Sequence, residues 1–206
     1  MGPVIPATLL ACAINATLAT DVHPSTVEAV VGVESGGNPV ALKVNRLPGP
    51  QPRPASVAEA VRIAESYIAR GYSVDIGLMQ VNNRNLPALG YTIEQVLDPC
   101  TNIAAGGRIL TANYADAARR MGEGQPALQA ALSAYNTGNF SAGFRNGYVA
   151  RYVGPGGVPA LAGGVRKVAA SMTAAGKPVA PKAPPSPYTA DIAIDFKEAS
   201  SVQFVQ

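Results

Sequence analysis

A change of composition after Val153 limits how much of this 206-residue chain can fold. Residues 154–187 contain seven prolines and six glycines and are otherwise rich in alanine and valine. Such a stretch forms a linker, locally polyproline-like, that cannot bury a core of its own. Residues 188–206 alternate enough for one strand, but one strand does not fold alone. We therefore predict a folded domain at 1–153, a linker at 154–187, and a short tail at 188–206 that is disordered or docks to a partner.

Helix start and stop signals recur before that break. Pro24 and the two residues after it begin a run with apolar residues at helical spacing, and Gly36 and Gly37 end it. One face of this helix carries Val27, Val30, Val31 and Glu34. The chain is 48% hydrophobic and only 14% charged, so it can bury a sizeable core.

Capping patterns indicate further helices. The predicted segments are residues 56–70 with an apolar stripe from Val57, a short helix after Thr92, residues 102–121 with Asn102 as the cap, residues 126–135, and a last short helix at 147–153. Residues 72–85 alternate around a central glycine, which favours an extended turn or short strand. The pattern predicts a mainly α domain with a small irregular or β element.

Scarce residue types exclude several kinds of chemistry. One histidine and two cysteines exclude the usual His/Cys zinc sites and disfavour a Ser-His-Asp triad. No phosphate-binding glycine loop is present, so we expect no metal and no cofactor. A net charge of +3, without a Lys/Arg cluster among aromatics, predicts no nucleic-acid partner. If the protein is an enzyme, carboxylates and backbone donors must do most of the work.

The uncharged residues 4–19 have two interpretations. They can form the first helix of the domain, or they can be the core of a signal peptide, although no basic residue precedes them. They are short for a membrane-spanning helix, so we predict no integral membrane span.

Glu34 is the first candidate for chemistry. It shares a helical face with three valines, so its carboxyl is expected to point into apolar packing, which raises a carboxyl pKa. A carboxyl that stays protonated near neutral pH is suited to general acid catalysis. The alternative is a structural glutamate near a helix end, capped by Ser35 or paired with an arginine.

Two later motifs favour the catalytic interpretation. "ESGGNP" at 34–39 is followed by "DIGLMQVNNRN" at 75–85 and "SAYNTG" at 133–138. In this order the motifs resemble those of the goose-lysozyme-like SLT lytic transglycosylases, in the branch associated with type IV secretion and conjugation. The resemblance covers about residues 10–153 and implies an α+β lysozyme-like fold. Residues 41–70 form a longer insertion than in many relatives, and their contacts are left open.

The resemblance also implies site residues. Glu34 matches the catalytic acid, and Ser35 matches the residue that helps to orient it. The implied substrate-binding residues are Ser35, Gly77, Met79, Gln80, Asn82, Tyr114, Tyr135 and Asn136, with Leu78 completing the GLMQ element. Tyr135 is expected near the acid, whereas Tyr114 is either a cleft residue or simply part of a buried helix face. Asp75 is either a second catalytic carboxylate, as in animal-type lysozymes, or a hydrogen-bonding residue in the turn.

The implied function is cleavage of the β-1,4 bond between N-acetylmuramic acid (MurNAc) and N-acetylglucosamine (GlcNAc) in peptidoglycan. With a single acid, the product is a 1,6-anhydro sugar and the cut opens the wall for a secretion apparatus. Two alternatives remain, a lysozyme-type hydrolase and a non-catalytic glycan-binding scaffold. The implied location is the periplasm, with peptidoglycan strands as partner and secretion-system proteins as partners of the tail.

A periplasmic location also bears on the two cysteines. Cys12 and Cys100 are either incidental buried thiols or a disulfide, which persists outside the cytoplasm. Cleavage of a signal peptide would instead remove Cys12.

Overall fold

The computed structural model describes residues 12, 20 and 22–153. The predicted linker and tail lie outside the described residues, and so does most of the segment at 4–19. The described part is mainly helical with one small antiparallel sheet, which confirms the predicted fold class. None of the helices in this part combines the length and the apolar character needed to cross a membrane.

The elements follow one another closely along the chain. The helices are α1 (Pro24–Glu34), α2 (Val57–Ala69), α3 (Leu86–Leu89), α4 (Ile93–Val96), α5 (Pro99–Met121), α6 (Gln125–Thr137), α7 (Ala142–Arg145) and α8 (Ala150–Val153). The strands are β1 (Leu42–Val44), β2 (Val74–Ile76) and β3 (Val81–Asn82), followed by a 3₁₀ turn at Asn83–Asn85. The sheet order is β1-β2-β3, and Asp75 at its centre pairs with Lys43 on one side and Asn82 on the other.

Helix α1 forms as the sequence predicts. Pro24 lies in its first turn, where a missing N–H costs nothing, and Val27, Val30 and Val31 are buried. The Ser35 hydroxyl donates to the Val31 carbonyl and accepts from the Gly37 N–H, which closes the last turn. Glu34 is therefore the last residue of a helix that is held rigidly at its end.

Two details of the predicted helices are wrong. Helix α5 begins at Pro99 and is capped by Asp98, which accepts from the Thr101 N–H, so Asn102 is not the cap. Proline is well placed at the first helical position, and the aspartate before it is a strong cap. Val57 is 43% exposed, because helix α2 buries Ala60 and Ala64 instead. These small side chains allow α2 to approach β1, β2 and α4.

The end of the described chain also differs from the prediction. The short helix expected at 147–153 is present only over its last four residues, as α8, and a turn separates it from the additional helix α7. Within that turn, the Asn146 side chain accepts from the Tyr148 N–H. This turn carries Tyr148 into the interior.

Residues 41–70, the segment expected to be an insertion, build the outer side of the sheet. They supply β1 and α2, and α2 packs on both β1 and β2. The Gln51 side chain accepts from the Val44 N–H at 2.7 Å and donates to the Val44 carbonyl at 3.1 Å. This amide pairs with the edge strand as a further strand would, and so protects the edge.

Cys12 and Thr20, two described residues that precede α1, both contact helix α5. A disulfide joins Cys12 and Cys100, whose Cα atoms are 4.8 Å apart. Thr20 packs against Gly107, where an added Cβ would lie 3.0 Å from the Thr20 hydroxyl oxygen. Residues far apart in sequence thus hold the start of the described chain against α5.

Candidate active site

Glu34 meets a pair of tyrosines from the far end of the domain. The Tyr148 hydroxyl donates a hydrogen bond to Oε1 of the half-buried Glu34 carboxyl. The Tyr152 hydroxyl lies 2.8 Å from that of Tyr148, so the two phenols form a buried chain that ends on the acid. Arg151 donates to the Val33 carbonyl at 2.7 Å, which fixes the end of α1 next to Glu34.

The surroundings raise the pKa of Glu34. Burial is the largest influence and raises it above the ordinary value of 4.5, and the negative charge of Asp75 acts in the same direction. The hydrogen bond from Tyr148 and the charges of Lys43 and Arg151 oppose this rise without cancelling it. Burial also raises the pKa of both Tyr148 and Tyr152 well above the ordinary value of 10.0, so both remain neutral donors.

Asp75 lies at the centre of a buried polar network. Its Oδ1 accepts from the Asn82 amide at 2.6 Å, and its Oδ2 accepts from the Asn45 amide at 3.0 Å. The same two amides also donate to the Ser73 hydroxyl, at 2.6 and 3.3 Å. Burial raises the pKa of Asp75, while these hydrogen bonds and Lys43 lower it. Both carboxyl oxygens are thus already engaged by neutral donors.

Asn102 and Tyr135 hold the loop at 77–80 from beneath. Asn102 accepts from the Met79 N–H at 2.7 Å and donates to the carbonyls of Ile76 and Val96. Tyr135 donates to the Met79 carbonyl at 2.7 Å. Gly77 has a φ of +77°, and a Cβ there would lie 2.3 Å from the Asn102 nitrogen, so only glycine fits.

Comparison with known proteins agrees with this arrangement. Residues 11–152 match the model of the transglycosylase SLT domain. The chain belongs to the SLT transglycosylase family. The resemblance inferred from the three motifs is thereby confirmed.

Two relatives share the name virB1, and one of these names includes type IV secretion. The chain is 40% identical to the type IV secretion system protein virB1 of Brucella suis biovar 1, over 79% of this chain and 63% of that protein. It is 39% identical to the protein virB1 of Agrobacterium fabrum, over 64% of this chain and 53% of that protein. The chain therefore spans less than two thirds of the length of these relatives. No solved structure shows a significant match.

Several side chains of the SLT motifs are buried within the domain. Met79 is fully buried against α5, where a Cβ on Gly106 would lie 2.7 Å from it, and Asn82 is fully buried around Asp75. Gln80 is 7% exposed, and its amide donates to the carbonyls of Gly77 and Ala41. These residues shape the loop from within, contrary to the expectation that their side chains line a cleft.

The remaining predicted residues lie at different distances from the acid. Ser35 adjoins Glu34, and Tyr135 is close enough for the Glu34 charge to raise its pKa. Asn136 is half-buried and accepts from the Asn146 amide at 3.0 Å. Tyr114 accepts from the Gly124 N–H at the turn between α5 and α6. It is twelve residues, or about 18 Å of helix, from Asn102, which favours its structural interpretation.

The sequence reasoning missed Tyr148, Tyr152, Lys43 and Asn102. Tyr148 and Tyr152 are four residues apart, a spacing that places two side chains on one side of a helical turn. That signal points to neighbours, but not to a contact with a residue 114 positions earlier.

Proposed function

We propose that this protein is a lytic transglycosylase that cleaves the MurNAc–GlcNAc β-1,4 bond of peptidoglycan and leaves a 1,6-anhydro end. The observation that carries this proposal is the half-buried Glu34 carboxyl, with a raised pKa and a neutral tyrosine donating to it. Membership of the SLT family supports the same reaction class.

In the first step, Glu34 acts as the general acid. Its proton passes to the glycosidic oxygen, and positive charge develops at the anomeric carbon as the bond breaks. The acetamido group of the substrate can stabilise that charge. Because burial raises the pKa of Glu34, a protonated carboxyl is available at a pH above the ordinary value of 4.5.

In the second step, the Glu34 carboxylate acts as the base. It takes the proton of the C6 hydroxyl, whose oxygen closes onto the anomeric carbon as the anhydro ring. The carboxylate formed between the steps is stabilised by the Tyr148 hydrogen bond, since a donor favours the charged form. Arg151 keeps the helix end in place through the Val33 carbonyl.

Asp75 fits a supporting position better than a second catalytic role. A nucleophile or base must reach the substrate, whereas the Asp75 side chain is only 10% exposed and each of its oxygens is held by an amide, Asn82 or Asn45. One catalytic acid is the arrangement that intramolecular ring closure requires. A hydrolytic, lysozyme-type outcome is the competing proposal and would be recognised by reducing ends.

The proposed setting is the periplasm, where the enzyme would open peptidoglycan locally for a type IV secretion or conjugation apparatus. The names of the virB1 relatives support the association with secretion. The disulfide between Cys12 and Cys100 is of a kind that persists in oxidising compartments. Residues 1–153 would form the catalytic domain and the segment at 188–206 would dock to secretion-system proteins.

The substitution Glu34→Gln tests the proposal. Gln keeps the shape and can accept from Tyr148, but it has no acidic proton to donate. We expect cleavage of purified peptidoglycan to fall by at least ~10²-fold, while binding to sacculi and the unfolding midpoint persist. Near wild-type turnover would remove Glu34 from the mechanism, and binding without cleavage by the wild type would support the scaffold alternative.

A further inference from the structure

Lys43 is a cation at the surface beside the candidate active site. It lies in the middle of β1, directly opposite Asp75 in the register of the sheet. Its side chain is 57% exposed, whereas the Asp75 side chain is only 10% exposed. The ammonium therefore lies at the solvent side of the buried network, where an incoming strand can reach it.

The Lys43 ammonium does not donate a hydrogen bond to Asp75. Its Nζ is 4.0 Å from Asp75 Oδ2. At this distance the two charges attract each other, but the separation is too long for a hydrogen bond. Asp75 is held instead by two amides, one on each of its oxygens. Among the described residues, the negative charge of Asp75 thus orients the Lys43 ammonium. The three N–H groups of the ammonium remain available to another acceptor.

Arg151, a second cation whose charge acts on Glu34, differs in this respect. Its guanidinium donates to the Val33 carbonyl at 2.7 Å and lies over the Tyr148 ring, 5.9 Å from its centroid. The charges of both Lys43 and Arg151 act on the Glu34 carboxyl. Arg151 already donates to the backbone and lies over a tyrosine ring, whereas Lys43 makes no such contact among the described residues.

We propose that Lys43 binds a carboxylate of the glycan strand next to the bond that is cut, and so makes the enzyme prefer strands that carry carboxylates. This inference rests on the proposed function. The MurNAc lactyl group supplies such a carboxylate in a peptide-free strand. In a peptide-bearing strand the lactyl carboxyl is an amide, and the stem peptide supplies carboxylates instead. An ammonium on an adjustable stem suits either source.

The test compares four substrates with the full-length protein. They are peptide-bearing strands, peptide-free strands, and both kinds after conversion of their carboxyls to neutral amides. The variants are Lys43→Gln, Lys43→Arg and the control Arg62→Gln, which removes an exposed cation that also lies 4.0 Å from its acidic partner. Binding of each substrate is measured in parallel in a Glu34→Gln background, so the inference is tested even if the wild type cleaves nothing.

We expect Lys43→Gln to raise KM roughly 3- to 10-fold on carboxylate-bearing strands. Because the Lys43 charge also lowers the pKa of Glu34, any change in kcat should be equal on native and amidated strands. The KM for amidated strands should not differ between Lys43→Gln and wild type. Lys43→Arg should restore part of the affinity, and Arg62→Gln should match wild type throughout. A penalty on peptide-free strands assigns the lactyl carboxylate, and a penalty confined to peptide-bearing strands assigns the stem peptide.

Two results would overturn the inference. An equal rise in KM on native and amidated strands, with a changed pH profile of kcat, would mean that Lys43 acts only through Glu34. Unchanged KM and unchanged binding on every strand would mean that Lys43 contacts no carboxylate. Failure of the wild type to cleave any strand would refute the proposed function separately, since the binding comparison would still report on Lys43.

Discussion

Replacing Asp75 with asparagine separates a structural role from a catalytic one. Each Asp75 oxygen accepts from an amide, from the buried Asn82 at 2.6 Å and from the half-buried Asn45 at 3.0 Å. Asparagine has one oxygen and one NH₂ group, so whichever way it points, one donor faces another donor. An orphaned buried donor costs about 1–3 kcal/mol. Because burial of the Asp75 charge opposes folding, losing the charge offsets part of that cost, and we expect a net loss of roughly 1–2 kcal/mol.

Urea unfolding at pH 7 measures this loss. A matched control is Asp116→Asn, which removes an exposed acid of α5 paired with Arg119 and should change stability by less than about 0.5 kcal/mol. Cleavage by Asp75→Asn, measured per folded molecule, should stay within about 10-fold of wild type, since a residue that only positions others loses less than a general acid does. Unchanged stability would refute the network interpretation. A folded variant that loses at least ~10² in rate would instead make Asp75 a second catalytic carboxylate.

Three further perturbations follow from the same geometry. Tyr148→Phe removes a donor that favours the Glu34 carboxylate, so kcat should fall and the alkaline limb of the pH–rate profile should move to higher pH; a move to lower pH contradicts this. Because the folded-state pKa of Glu34 is raised, its contribution to stability is present below its ordinary value of 4.5 and is lost as pH rises through the folded pKa. As pH rises from 4 to 8, the stability of Glu34→Gln in urea unfolding should therefore increase relative to that of the wild type. A relative decrease over that range would argue against a buried acid. Removing the disulfide as Cys12→Ser/Cys100→Ser opens a loop with a sequence separation of 88, for which chain entropy gives roughly 4.6 kcal/mol as an upper figure. A loss of about 2–4 kcal/mol is expected, and an unchanged unfolding free energy would mean that the bond constrains nothing.

Local chemistry explains which parts of the fold could be predicted from sequence. The caps at Ser56 and Thr92 are satisfied within three residues, at Glu59 and Gln95, so the sequence pattern contains the whole interaction. Asn102 is also a residue type that caps helices, but Asp98 followed by Pro99 forms the cap of α5 instead. The Asn102 side chain instead bonds the backbone 23 and 26 residues earlier, which no local pattern reports.

The candidate site also has features that the sequence predicts and features that depend on the whole fold. The position of Glu34 at the end of α1 follows from helical spacing and the glycines behind it, whereas its contact with Tyr148 depends on how the whole domain closes. The motif at 77–80 identified the residues of this loop, but it did not predict the directions in which their side chains point. Gln80 has a φ of +49°, which turns the chain within the motif and keeps its amide inside the loop. Met79 and Asn82 are then buried, so their contribution is to the shape of the loop.

The chemical ends of released glycan fragments test the central proposal most directly. Purified peptidoglycan is digested with wild-type protein and with Glu34→Gln, and the fragments are separated and weighed by mass spectrometry. Intramolecular ring closure predicts MurNAc ends lighter than reducing ends by one water, formed by the wild type and absent with Glu34→Gln. Reducing ends from the wild type would contradict transglycosylation and indicate hydrolysis, and anhydro ends from Glu34→Gln would contradict the assignment of Glu34 as the acid.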